Sequence, residues 1–152
     1  MSTNRTRTPC IGICSTTSVG DAICRGCKRY AFEVIRWNSY ADAEKEAVLA
    51  RIEALTVQIL QGRFVILSEA DLAAGLKNCK LPFNPDLSPY SWLHNYLKKG
   101  NLAIPPEQLG ITMQPTYSHY SLEQLAELVD EELLVLCEAH FARYYPLVDS
   151  LA

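Results

Sequence analysis

Two long stretches of the chain carry apolar residues at the three- and four-residue spacing of one helical face. The first extends over residues 41–61 with almost no helix-breaking residue, and its apolar positions are Val48, Ile52, Leu55 and Ile59. The second extends over residues 121–144, and the positions on its inner side are Leu122, Leu125, Ala126, Val129, Leu133, Leu136 and His140. The pattern predicts two long helices that form the main body of the fold.

Shorter elements are predicted before and between these helices. Residues after Cys27, up to Trp37, have helical spacing, and Pro89 after Ser88 suits the first position of another helix. Helix starts of the capping-box type are predicted at Ser39 with Asp42, Ser68 with Asp71 and Ser121 with Gln124. The β-prone runs 64–67 and 111–113 predict at most two short strands. We therefore predict a mainly α protein.

Composition agrees with a folded protein in the cytoplasm. The chain has 152 residues, of which 49% are apolar, and this is enough to bury a core. The polar start, Met1 to Pro9, lacks the apolar segment of a secretory signal, and no apolar run approaches the roughly twenty residues of a membrane span. We expect a cytoplasmic protein that does not enter a membrane.

Four of the six cysteines lie within one short segment, in the pattern C-x3-C-x9-C-x2-C. They are Cys10, Cys14, Cys24 and Cys27. Thiols stay reduced in the cytoplasm, so clustered cysteines indicate metal ligation or redox chemistry rather than structural disulfides. Two short pairs that a loop brings together can surround one metal ion or one small cluster. We predict that these four residues bind one metal or cofactor.

The spacing leaves the identity of that cofactor open. Ferredoxin-type cysteine runs are missing, and Thr17 stands where a C-x3-C-x2-C motif requires its third cysteine. Zinc accepts all-cysteine sites, although zinc ribbons favour C-x2-C in both pairs. A third interpretation is a redox-active Cys24/Cys27 dithiol at the start of a helix, where the positive end of the helix dipole lowers a thiol pKa. No βαβ pattern surrounds that pair.

The remaining candidate residues have simpler interpretations. Cys137 lies among leucines and valines and is predicted to be in the core, and Cys79 is an isolated loop thiol. Glu33, at helical spacing from Arg29 and Arg36, predicts a surface ion pair. His94, His119 and His140 share no ligand spacing, and the chain has no common catalytic motif, so we expect a protein that is not an enzyme.

Charge is distributed unevenly along the chain, whose net charge is −3. Basic residues exceed acidic ones in the first 36 residues, and acidic residues dominate from residue 118 onward. An acidic protein without a long basic stripe is a poor nucleic-acid binder. We instead expect nearby arginines to offset the negative charge of a four-thiolate centre.

The segment from Pro9 to Ile52 resembles a small bacterial family known as domain of unknown function 1289, whose members are described as iron-sulfur proteins. The matching positions are Pro9-Cys10-Ile11, Ile13-Cys14, Cys24, Gly26-Cys27, Arg29, Glu33-Val34, Arg36-Trp37, Glu44-Lys45 and Val48. Lys28 and Tyr30 stand where the family more often has glycine and a small hydroxyl residue. The resemblance implies an iron-sulfur cluster at the four cysteines and brings no established reaction.

These observations predict two parts. Residues 1–38 form a cysteine-rich metal-binding lobe with its first helix, and residues 39–152 form a helical domain on which that lobe packs. The predicted function is to hold an iron-sulfur cluster for redox sensing or electron transfer, together with a protein partner. A structural zinc module that binds a protein or nucleic acid is the alternative, and a dithiol oxidoreductase is the third possibility.

Overall fold

A computed structural model of the protein describes residues 21–144. Within that range the chain forms five α-helices and two short strands. The elements are α1 (Ala31–Arg36), α2 (Asp42–Gln61), β1 (Phe64–Ile66), α3 (Glu69–Asn78), α4 (Pro89–Lys99), β2 (Ile111–Met113) and α5 (Leu122–Tyr144). The strands pair antiparallel, with Phe64 opposite Met113 and Ile66 opposite Ile111. The mainly α prediction is confirmed.

The chain divides into two compact units, and both divisions fall inside long helices. Unit 1 comprises the described residues 21–55 and 133–144, and unit 2 comprises residues 56–132. The first division therefore lies within α2 and the second within α5. The boundary after residue 38, inferred from the sequence, stays a prediction.

Unit 1 buries a mixed set of side chains. Its apolar core consists of Ile23, Tyr30, Trp37, Val48, Leu55, Leu133 and Cys137. The ring of Tyr30 meets that of Phe141 edge to face, with centroids 5.0 Å apart. Burial also raises the pKa of the Cys137 thiol to about 11, because the thiolate loses its hydration. The prediction that Cys137 belongs to the core is confirmed.

Unit 2 has a separate apolar core beneath the two strands. Its fully buried side chains include Leu60, Phe64, Leu72, Leu76, Leu93, Tyr96 and Leu125. Gly110, immediately before β2, occupies a position that requires glycine. Its φ is +67°, and an added Cβ would lie 2.5 Å from the carbonyl oxygen of Ser68. The carbonyl of Gly110 itself accepts hydrogen bonds from the backbone N–H groups of Leu67 and Ser68. The turn therefore ties the end of β1 to the start of β2.

Local capping determines where most helices begin. Ser68 accepts from the N–H of Asp71, Ser88 accepts from that of Tyr90, and Ser121 exchanges hydrogen bonds with Gln124. These three predicted helix starts are confirmed.

The predicted start at Ser39 is wrong. Residues 37–39 continue α1 as a 3-10 turn, which brings the Ser39 hydroxyl to the carbonyl of Arg36 at 2.6 Å. The Glu44 carboxylate instead accepts from the backbone N–H of Ala41, at 3.0 Å, and caps α2.

None of the helices between residues 21 and 144 combines the length and the apolar character that a membrane crossing requires.

Tyr96 of α4 lies completely inside unit 2 with its hydroxyl in use. The hydroxyl donates to the carbonyl of Asn101 at 2.7 Å, and the Cys79 sulfur lies 3.9 Å from the same oxygen. Cys79 caps the end of α3 rather than standing isolated in a loop. Burial raises the pKa of Tyr96 to about 12, and Cys79 adds to this shift.

Tyr96 predicts a loss of stability in alkali. Because the folded protein keeps this phenol protonated above its ordinary pKa of 10.0, the unfolded state loses its proton first and is stabilised relative to the folded state as pH rises. The free energy of unfolding should fall by about 2 to 3 kcal/mol between pH 10 and pH 12 from this group, measured by urea denaturation. Tyr96→Phe should remove that part of the decline. An equal decline in both proteins would contradict the burial of the hydroxyl.

Candidate functional site

Cys24 and Cys27 lie in the loop of a short antiparallel hairpin that precedes α1. Ile23 and Tyr30 form an isolated antiparallel bridge across it. The backbone N–H of Cys24 donates to the carbonyl of Arg29 at 2.9 Å, and that of Ala31 donates to the carbonyl of Ala22 at 2.8 Å. The chain therefore reverses within residues 25–28, and both cysteines stand where it turns.

Lys28 closes the loop with its backbone and its side chain. Its N–H donates to the carbonyl of Cys24 at 2.8 Å, and its φ of 68° is left-handed. The side chain is buried, and its ammonium donates to the carbonyls of Arg25 and Gly26. The left-handed residue of this turn is Lys28 rather than Gly26.

The two thiols lie together and are nearly inaccessible to solvent. Cys24 is 1% exposed and Cys27 8% exposed, and their side chains are hydrogen-bonded to each other. The structure thus brings together the second pair of the predicted quartet. Cys10 and Cys14 lie outside the described residues. Between residues 21 and 144, no group of three or more His, Cys, Asp or Glu side chains is placed to hold a metal ion.

Two opposing influences act on the Cys27 thiol. Burial raises its pKa, and the hydrogen bond and positive charge of Arg29 lower it, with burial the stronger. The Arg29 Nε–H donates to the sulfur at 3.2 Å. In the metal-free protein the thiol form is therefore favoured. Binding of a cation would reverse this preference, because a metal ligand is the thiolate.

The expected placement of these cysteines at a helix N-terminus is wrong. Helix α1 begins at Ala31, and the hairpin turn separates it from Cys27. The backbone N–H of Tyr30 at its start is already bonded to the Glu33 carboxylate, at 2.9 Å. The helix dipole therefore does not account for the chemistry of the thiols.

Glu33 forms a buried ion pair rather than the predicted surface pair. Arg51, eighteen positions later in α2, binds it in a bidentate manner at 2.6 and 2.8 Å. The Arg51 guanidinium also lies 4.0 Å from the ring centroid of Tyr30. Helical spacing favoured Arg29 and Arg36, but the former contacts Cys27 and the latter is exposed. The partner comes from another helix, so local spacing does not reveal it.

An open cleft of about 360 Å³ also lies in unit 1. Its lining combines apolar and charged side chains, among them Ile23, Arg25, Leu134, Glu138 and Phe141. Cys24 and Cys27 do not belong to that lining. The cleft is therefore distinct from the pair of thiols.

Lys28 and Arg51 are the two residues of this region that reasoning from the sequence did not identify. Both are charged, yet Lys28 is buried and Arg51 lies half-buried against Tyr30 and Glu33. The family that the segment resembles more often has glycine at position 28, and this is the signal for a left-handed residue there. Nothing local marks Arg51.

Comparison with known proteins agrees with the resemblance seen in the sequence. Residues 8–56 match a family described as protein of unknown function (DUF1289), which is about a third of the chain. The matched segment contains all four clustered cysteines and both members of the Glu33–Arg51 pair. No curated protein matches the chain, and no solved structure does.

The left-handed conformation of Lys28 predicts an unusual order of stability at this position. Alanine and glycine both remove the ammonium, but only glycine adopts φ +68° without strain. Lys28→Gly should therefore exceed Lys28→Ala by about 1 kcal/mol in free energy of unfolding, measured with urea. At the exposed Glu127 inside α5 the order should reverse, because alanine is the better helix former. The same order at both positions would contradict the turn geometry.

The Glu33–Arg51 pair predicts a large coupling between two helices. Glu33→Gln leaves the Arg51 guanidinium without its carboxylate partner, and we expect a loss of about 3 kcal/mol in free energy of unfolding. In a double-mutant cycle with Arg51→Gln the coupling should exceed about 1 kcal/mol. The pair Asp21–Arg25, whose arginine side chain is 71% exposed, serves as the control and should couple by less than that. Equal couplings would show that the buried pair is not special.

Proposed function

We propose that Cys10, Cys14, Cys24 and Cys27 together hold an iron-sulfur cluster, and that the protein senses redox state or carries electrons without being an enzyme. The observation that supports this is the placement of Cys24 and Cys27 side by side, buried, on one hairpin loop. Two neighbouring sulfurs held on a fixed backbone suit one edge of a tetrahedral ligand shell. The resemblance to an iron-sulfur family points to the cluster.

The surroundings of the pair suit a negatively charged centre. Four thiolates around a divalent ion or a dicationic cluster leave a net charge near −2. Arg29 is a cation that touches the Cys27 sulfur, and the Lys28 ammonium bonds the loop carbonyls of Arg25 and Gly26. Arg25, by contrast, is exposed and paired with Asp21. A bound cluster would supply a one-electron couple, and these residues would keep water from the sulfurs and neutralise part of the charge.

Structural zinc is the second candidate, and the tight C-x2-C hairpin favours it. Zinc ribbons use this spacing, and four protein thiolates would leave the metal no open position for a substrate. In that case the metal would hold the cysteine segment in place, and the protein would act by binding another protein. A reactive Cys24/Cys27 dithiol has less support, because a nucleophilic thiol needs exposure and a lowered pKa, whereas Cys27 is buried with a raised pKa.

The proposal includes a protein partner in the cytoplasm, because an electron carrier or a sensor acts through contact with another protein. The exposed residues Glu127, Asp130 and Glu131 make part of α5 acidic. Acidic surface repels phosphate groups, so nucleic acid is disfavoured as the partner.

Metal analysis of the full-length, untagged protein purified without oxygen tests the proposal. We expect iron and acid-labile sulfide, with a visible absorption that dithionite bleaches. Cys24→Ser and Cys27→Ser should lose the cluster, and Cys79→Ser in unit 2 should keep it. A colourless protein with stoichiometric zinc would favour the second candidate, structural zinc, over the cluster. Absence of both metals under these conditions would overturn the metal site altogether.

The same variants separate a local from a global effect. Unit 2 has its own apolar core, so Cys24→Ser should lose order in unit 1 while most of the helical circular dichroism remains. Complete loss of helicity would contradict an independent core in unit 2.

A further inference from the structure

Arg29 makes specific contacts with the cysteine hairpin in addition to contributing positive charge. Arginine is rarely buried unless its guanidinium has specific partners, and Arg29 is only 2% exposed. Its Nε–H donates to the Cys27 sulfur at 3.2 Å, and its carbonyl accepts from the N–H of Cys24 at 2.9 Å. One residue therefore contacts both cysteines of the hairpin, the first through its backbone and the second through its side chain.

Trp37 holds the guanidinium in this position. The Arg29 Cζ lies 4.7 Å from the centroid of the buried indole, within the range of a cation–π contact. This contact limits the movement of the guanidinium whose Nε–H reaches the sulfur. Lysine would keep the charge and a donor, but its ammonium lacks the rigid planar fork that places Nε and Cζ together in arginine. The site uses a property that is specific to arginine.

We propose that Arg29 is a positioning residue that determines how firmly the cysteine centre holds its metal. This inference rests on the proposed metal site. A hydrogen bond from a cation to a ligand sulfur stabilises the excess negative charge of a four-thiolate centre, and the effect is large in a buried site where water does not screen it. Loss of such an outer contact commonly weakens metal affinity by about 10- to 100-fold. In an iron-loaded centre the same contact favours the more negative, reduced state, so its loss should lower the reduction potential.

The matched control lies in the same loop. Arg25 carries the same charge four positions earlier, but its side chain is 71% exposed and pairs with Asp21 at 3.0 Å. If net charge near the loop were sufficient, Arg25 and Arg29 would contribute alike. If the hydrogen bond to sulfur is what matters, only Arg29 contributes.

Cobalt binding to the full-length, metal-free protein tests the inference, because Co²⁺ occupies thiolate sites and its thiolate charge-transfer band reports on the sulfur. We expect Arg29→Met to bind Co²⁺ about tenfold more weakly than the wild type or worse, and its charge-transfer band to be displaced. Arg29→Lys should bind with intermediate affinity. Arg25→Met should match the wild type in both affinity and band position.

Each other outcome has a definite meaning. Equal affinity and an unmoved band in Arg29→Met would overturn the inference while the metal site stands. Weaker binding with an unmoved band would also overturn it, because a residue that only supports the fold leaves the loaded centre unchanged. If Arg29→Met does not fold, the band position of Arg29→Lys decides the question. A wild type that binds no Co²⁺ would refute the metal site itself.

Discussion

The closure of a sharp backbone turn at the buried Cys24 and Cys27 is the constraint on which unit 1 depends. Carbonyl groups that lose water must find donors inside the protein, or each costs about 1 to 3 kcal/mol. The loop of residues 25–28 meets this demand from within, because the Lys28 ammonium bonds the carbonyls of Arg25 and Gly26. The cost is a left-handed, non-glycine residue at position 28. The closed loop in turn fixes Cys24 and Cys27 as neighbours.

A second set of contacts joins this hairpin to the helices of unit 1. The Glu33 carboxylate bonds the N–H of Tyr30 at the end of the hairpin and the guanidinium of Arg51 in α2. The Tyr30 ring lies between that guanidinium and Phe141 of α5. The backbone N–H of Tyr30 is thus held by the Glu33 carboxylate, and its ring contacts Arg51 and Phe141. The end of the cysteine hairpin at Tyr30 therefore depends on residues that lie far away in the sequence.

The extent to which the sequence predicts this structure follows the range of the interactions. Serine caps and short β-prone runs depend on interactions within a few residues. The serine caps predicted the helix starts at Ser68, Ser88 and Ser121 correctly. Glu33 was misassigned because its partner lies in another helix. The cysteines were expected at a helix start because the helical spacing of apolar residues includes Tyr30. The turn that separates them from α1 depends on a left-handed Lys28, and the residue type alone does not reveal that conformation. Cys10 and Cys14 lie outside the described residues, so their part in the site stays a prediction.

The environment of the hairpin disfavours a free thiolate at Cys27. Burial opposes an isolated thiolate at Cys27, and the Arg29 hydrogen bond favours a negative sulfur. In a metal-free protein the first effect is the stronger, so the pair is a poor nucleophile. When a cation supplies the missing positive charge, the penalty of burial falls while the hydrogen bond from Arg29 remains. The same residues that suppress thiol reactivity are the ones that would stabilise the proposed metal–thiolate centre.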